Sequence, residues 1–247
     1  MYTRIFDRSI LTGLFIALAL LQLPLSAHAQ NSRSGFLDFN VYPYLSDVDD
    51  DSVATINAAA QLPNRFEYFS LTNFGNQKTA DELSDTTTYY TEQNVRWRIS
   101  EQSPLDLTLQ MNFRTGVDND RHRLGVRWRL NDSAYLKTLF ERMNLKYAIN
   151  AHVIQFDDQP GNAWQLEHSF MMKFPWLSPR LYLAGFIDHT FGETLAGNIP
   201  DDPVVAEAQL GFNIIEQLYF VTEYRINQYR RSDVNNLAVG MQYKIVW

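Results

Sequence analysis

The chain has 247 residues, of which 21 are basic and 28 acidic, for a net charge of −7. That balance argues against a nucleic-acid partner, which asks for a basic surface. Cysteine is absent, which removes disulfides, thiolate metal sites and cysteine nucleophiles together.

The first thirty residues read as an export signal. Arg4 and Arg8 form a basic start, an apolar stretch runs over residues 10–25, and Ala27-His28-Ala29 has the small-x-small form of a cleavage site. Cleavage after Ala29 takes away Arg4, Asp7 and Arg8 and leaves 19 basic and 27 acidic residues, a net charge of −8, in one domain over residues 30–247. No later apolar run reaches the length of a membrane helix, so a chain that enters a membrane does so as strands. An aromatic content of 14% beside a negative mean hydropathy suits a barrel whose apolar residues all face one way.

Strands are predicted, in chain order, at residues 35–44, 53–61, 65–74, 94–99, 105–114, 123–130, 144–155, 163–174, 180–190, 204–214, 218–226 and 236–247. The clearest is the fifth, where Leu105, Leu107, Leu109, Met111 and Phe113 alternate with Asp106, Thr108, Gln110, Asn112 and Arg114. A period of two is the signature of a strand with two unlike faces. Short connections (61–64, 101–104, 175–179, 215–217) alternate with long or acidic ones (46–52, 75–88, 116–121, 157–162, 192–203, 230–235). The expected fold is therefore an all-β, antiparallel transmembrane up-and-down β-barrel of about twelve strands, with both ends on the periplasmic side. Residues 131–143 break the short-turn rule. Leu136, Leu139, Phe140 and Met143 stand at helical spacing behind Asp132 or Ser133 as N-caps, which predicts a short periplasmic helix, on the inner leaflet, over the barrel mouth, or packed as an ordered turn.

The last strand carries an apolar row, Leu237, Val239, Met241, Tyr243, Ile245 and Trp247. It resembles the C-terminal assembly signal of outer-membrane barrel proteins, which implies recognition by the barrel-insertion machinery; Trp247 stands where such proteins more often have Phe. In architecture, length and the stretch Tyr68 to Phe74, the chain also resembles the nucleoside-specific (Tsx-like) channel family of the Gram-negative outer membrane. That resemblance implies passive uptake of a small solute and surroundings of outer-membrane lipid and lipopolysaccharide.

With apolar residues outward, the inward positions include Arg96, Arg98, Arg114, Arg123, Arg127, Arg129, Lys146, Lys173, Arg225 and Lys244, against Asp38, Glu92, Asp106, Glu167, Asp188, Glu207 and Glu223. Arg96, Arg98, Arg114, Arg127 and Arg129 with Asp106 are the expected pore-lining and selectivity group. They can act as a wall that draws anions, or as paired ladders that plug a narrow lumen. Phe66, Tyr68, Phe69 and Phe74 are a candidate stacking track for a ring-bearing solute, and aromatics at strand ends, Tyr42, Tyr44, Tyr89, Tyr90, Trp164, Trp176, Tyr219 and Trp247, are expected in interfacial girdles. Asp47, Asp49, Asp50 and Asp51 offer oxygen ligands for calcium or magnesium, or a divalent bridge to lipopolysaccharide phosphates. No cofactor is expected. An enzyme is not expected either, since His168 and Ser169 are neighbours on one strand and point to opposite faces.

Overall fold

A computed structural model describes residues 34–45, 51–76, 88–116, 119–157, 162–193, 195, 199–229 and 234–247, without the side chains at 51–53 and 76. The expected export segment, residues 1–29, lies outside the described residues. Twelve strands follow one another: β1 Gly35–Val41, β2 Asp51–Gln61, β3 Phe66–Asn76, β4 Thr88–Arg98, β5 Leu105–Arg114, β6 Arg121–Arg129, β7 Leu145–Gln155, β8 Trp164–Lys173, β9 Leu181–Phe191, β10 Val204–Ile215, β11 Leu218–Asn227 and β12 Asn235–Val246. Each pairs antiparallel with its sequence neighbour, and β1 pairs with β12 to close the barrel. At the seam, Gly35 and Trp247 exchange two backbone hydrogen bonds of 2.9 and 3.1 Å. Closure leaves no free sheet edge.

The period-two rows fix which face points where. Leu105, Leu107, Leu124, Val126, Trp128, Leu210, Phe212, Phe220, Leu237 and Met241 are exposed on the outside, whereas Asp106, Thr108, Gln110, Asn112, Arg123 and Arg127 are buried inside. An apolar shell over a polar interior inverts the soluble pattern and matches a barrel immersed in hydrocarbon. Ten or so residues per strand suit the tilted crossing of a bilayer. The expected strand order and facing are thus those observed, with ends shifted by one to three residues in most strands. β4 is longer than the alternating core that announced it, because its first half, Thr88 to Gln93, puts Tyr, Thr and Gln on the outer face, where the apolar signal fails.

Register adjusts at three places among the described residues, between Ser52 and Ala54 against β3, between Leu124 and Gly125 against β7 and between Asn213 and Ile215 against β11. A Cβ on Gly125 would lie 2.1 Å from the Ala151 carbonyl oxygen, so only glycine allows that approach. The turn after β10 is two residues long, and Glu216 adopts φ 46°, a left-handed conformation that costs a side chain about 1–2 kcal/mol.

The predicted helix is α1, Lys137–Arg142, preceded by a 3-10 turn over Leu130–Asp132. Neither expected N-cap caps it. Asp132 is held by the Arg129 guanidinium, and the Ser133 hydroxyl accepts a 2.7 Å bond from the Trp128 indole N–H, so only the Ser133 backbone carbonyl meets the Lys137 N–H, at 2.9 Å. Phe140 packs on Tyr147, ring centroids 6.2 Å apart. Because Tyr147 lies on the outer face of β7, the helix rests against the outside of the rim and does not cross the mouth.

Candidate functional site

The polar interior is the candidate site, and its arginines do point inward as their strands alternate. They do not form a bare positive wall, however. At the start of β3, Glu67 takes a 3.1 Å bond from Arg96 on β4 and another of 3.1 Å from Arg127 on β6. Arg127 also donates to Asp106 at 2.6 Å through Nε, and Arg129 Nε lies 3.1 Å from the same carboxylate. Arg96 lies 5.6 Å over the Phe69 ring and 3.9 Å from Glu167. Charge-assisted bonds of this kind, buried and shared, hold both partners in one geometry. Arg98 is looser, a third exposed, with Glu101 4.0 Å away. Arg114 lies 5.3 Å over Tyr90.

Glu67 is the group that sequence reasoning missed. The aromatic residues around it drew the segment towards stacking, although the alternation Glu67, Phe69, Leu71, Asn73 already placed the acid on the inner face. The same alternation corrects the stacking track. Phe69 is inside, while Phe66, Tyr68 and Phe74 project from the outer face, so the four rings do not share a surface. A period of two cannot bring 66, 68 and 74 to the side of 69.

Above the arginine lattice lies a second group of buried hydrogen bonds. Asn150 donates to Glu167 at 2.7 Å, Gln110 at 3.3 Å, and His152 Nε2 lies 3.4 Å from it; Arg123 donates to Gln165 at 2.5 Å; Asn94 donates to Glu92 at 2.6 Å. Asn94, Asn150 and His152 have no exposed surface at all. Side chains from β4 to β8 therefore meet and fill that part of the lumen, as a narrow barrel permits.

The wall formed by β9 to β12 and β1 sets tyrosines and amides among buried acids, Asp38 on β1 and Glu223 on β11. Tyr44 donates to Glu223 at 2.9 Å, the Tyr42 and Thr55 hydroxyls are hydrogen-bonded at 2.5 Å, Gln209 donates to the Tyr182 hydroxyl at 2.6 Å, and that hydroxyl donates to Gln242 at 2.6 Å. Tyr42, Tyr44, Tyr90 and Tyr219 thus belong to the interior and not to a girdle, which corrects the expectation for those four; Trp164, stacked on Phe191 at 4.1 Å, and exposed Trp176 and Trp247 are outside. Gly211 makes room for the Tyr182 ring, since a Cβ there would lie 2.1 Å from it. Beside this ring opens a cleft of about 220 Å³ lined by Lys173, Arg180, Tyr182, Asn213, Glu216 and Tyr219. Lys173 at the end of β8 and Lys146 at the start of β7, both inward, are exposed to solvent.

At the opposite mouth, Arg121 donates to Glu193 at 2.7 Å and the Tyr229 hydroxyl donates to the same carboxylate at 2.7 Å, joining the ends of β6, β9 and β11. Burial and the Glu193 carboxylate push the Tyr229 phenol above its usual range. Asp47, Asp49 and Asp50 lie outside the described residues, as does the side chain of Asp51. Among the described residues no group of three or more His, Cys, Asp or Glu is placed to hold a metal ion.

No protein-family model matches the chain, and no curated protein does. Among solved structures it is similar to the KdgM porin, at 12% identity and a TM-score of 0.47 over 85% of this chain and 98% of that one. It is also similar to Pseudomonas aeruginosa OccK11 (OpdR), at 12% identity and a TM-score of 0.37 over 89% of this chain and 68% of that one. At these scores neither likeness carries a function across.

Proposed function

We propose that the protein is a bacterial outer-membrane channel for passive passage of small solutes. The observation that carries this reading is the inverted barrel, apolar around its outside and polar throughout its inside. Such an interior has no core to build and can serve water-soluble cargo. Arg96, Arg127 and Arg129 are committed to Glu67 and Asp106, so the positive charge that a solute would meet sits on Lys146, Lys173 and Arg98, towards the periplasmic mouth. Anionic solutes fit that charge. A nucleoside-stacking track is not part of the proposal, because three of its four rings face outward.

A second reading is a closed structural barrel. It is favoured by the full burial of Asn94, Asn150 and His152, which places side chains where a solute would pass. Planar-bilayer recording of the folded protein separates the two. A channel gives discrete currents whose selectivity shifts towards cations in the double variant Lys146→Ala, Lys173→Ala. Silent bilayers with correctly folded protein favour the closed barrel.

A further inference from the structure

The outer face of β2 to β4 departs from the rest of the shell. On β3 and β4 the outward residues at mid-strand are Ser70, Thr72, Thr91 and Gln93, with Ser70 opposite Gln93 and Thr72 opposite Thr91. They are joined into one network. The Tyr68 hydroxyl donates to the Gln93 carbonyl, the Gln93 amide donates to Thr91 at 2.6 Å, the Thr72 and Thr91 hydroxyls share a bond of 2.9 Å, and Thr91 reaches the Leu71 carbonyl at 3.1 Å. Next to them, β2 presents Ala54, Ile56, Ala58 and Ala60. Among the described residues of these three strands, Phe66 alone is an exposed large hydrophobic.

Other outward polar groups behave differently. Thr222 on β11 bonds to the Ala238 carbonyl at 3.1 Å, and His168 on β8 to the Tyr147 hydroxyl at 2.9 Å, each as an isolated pair. His122 and His189 stand at strand ends, among aromatic rings. Among the described residues, only β3 and β4 gather four neutral hydrogen-bonding side chains at the depth of the hydrocarbon.

We propose that this face is the contact between two copies of the chain in the membrane, packed about a two-fold axis near Ser70. Acyl chains offer such groups nothing, and each exposed polar group in lipid is costly. The patch carries no charge, so it does not complement an anionic headgroup or a basic partner. Each hydroxyl and amide on it both donates and accepts, with capacity beyond the bonds within the barrel. A surface of that kind complements a copy of itself, as a two-fold interface requires. The alanines of β2 let the second barrel approach closely, as small residues do between membrane segments.

The inference rests on the outer-membrane reading, and the experiment keeps the two apart. The natural chain has no cysteine, so Ser70→Cys and the opposite-face control Ile149→Cys each introduce a single thiol. Oxidation in isolated outer membranes is expected to convert the first into a covalent dimer and leave the second a monomer. Light scattering of the unsubstituted protein in mild detergent is expected to give two copies, falling to one in the variant Thr91→Leu, Gln93→Leu. Ser70→Cys cross-linking no more than Ile149→Cys, with a one-copy mass for the unsubstituted protein, overturns the dimer. So does a cross-link from position 70 to a barrel of a different mass. A heat-modifiable band in the membrane fraction verifies that each variant is folded and embedded; recovery of the unsubstituted protein in the soluble fraction overturns the membrane reading, and the dimer with it.

Discussion

Two stretches of the inner wall use positive charge in opposite ways. On β4 to β6, Arg96 and Arg127 are buried and shared between Glu67 and Asp106, so their guanidinium groups serve as cross-ties between strands, while Arg98 at the strand end is a third exposed. On β7 and β8 the lysines at the same end of the barrel are exposed, and across the register Lys146 faces Met171 and Lys173 faces Tyr182, neither of them an acid. The difference follows from side-chain chemistry. A planar guanidinium can bond several oxygens at once and suits a buried lattice, whereas a hydrated ammonium on a flexible stem favours water. Counting inward cations on the sequence treats the two alike, although only the second kind is free to act on a solute.

The largest test of that contrast is Glu67→Ala. It leaves Arg96 and Arg127 without their shared carboxylate and is expected to destabilise the barrel by about 3–5 kcal/mol, read as a lower midpoint of urea unfolding in micelles. Next, Gly211→Val would push the Tyr182 ring off its seat and break its bonds to Gln209 and Gln242. A loss of about 1–3 kcal/mol is expected on the same scale. Glu216→Gly relieves the left-handed turn after β10 and should raise the midpoint, by about 1 kcal/mol. Smallest is the double variant Lys146→Ala, Lys173→Ala, expected to change stability by less than about 0.5 kcal/mol while altering ion selectivity. A large stability loss there would mean that the lysines are ties as well, and the contrast would disappear.

Much of the fold was legible because a two-faced strand writes its facing into every second residue. Leu105 to Arg114 shows the rule in full, and the eleven other strands show enough of it to be found. What escaped was partnership. Nothing local in Glu67 announces Arg127, sixty positions along the chain and three strands away, and the pair forms only because the wall curves. Tyr42 and Tyr44 look like girdle residues by their place near a strand end, yet their hydroxyls reach Thr55 and Glu223 inside. The polar patch on β3 and β4 was hidden for a related reason. Ser70, Thr72, Thr91 and Gln93 blur the alternation, so they read as a weak strand and not as a distinct outer surface.

Eleven of the twelve strand pairings join neighbours in the chain, and only the β1–β12 seam joins its opposite ends. Each hairpin can form with little loss of chain entropy, but the seam has to bring together segments separated by all the rest. Until it does, the sheet is an open ribbon with two unpaired rims. The time the chain spends in that state, more than the strength of any one contact in the finished wall, sets its risk of being lost to aggregation.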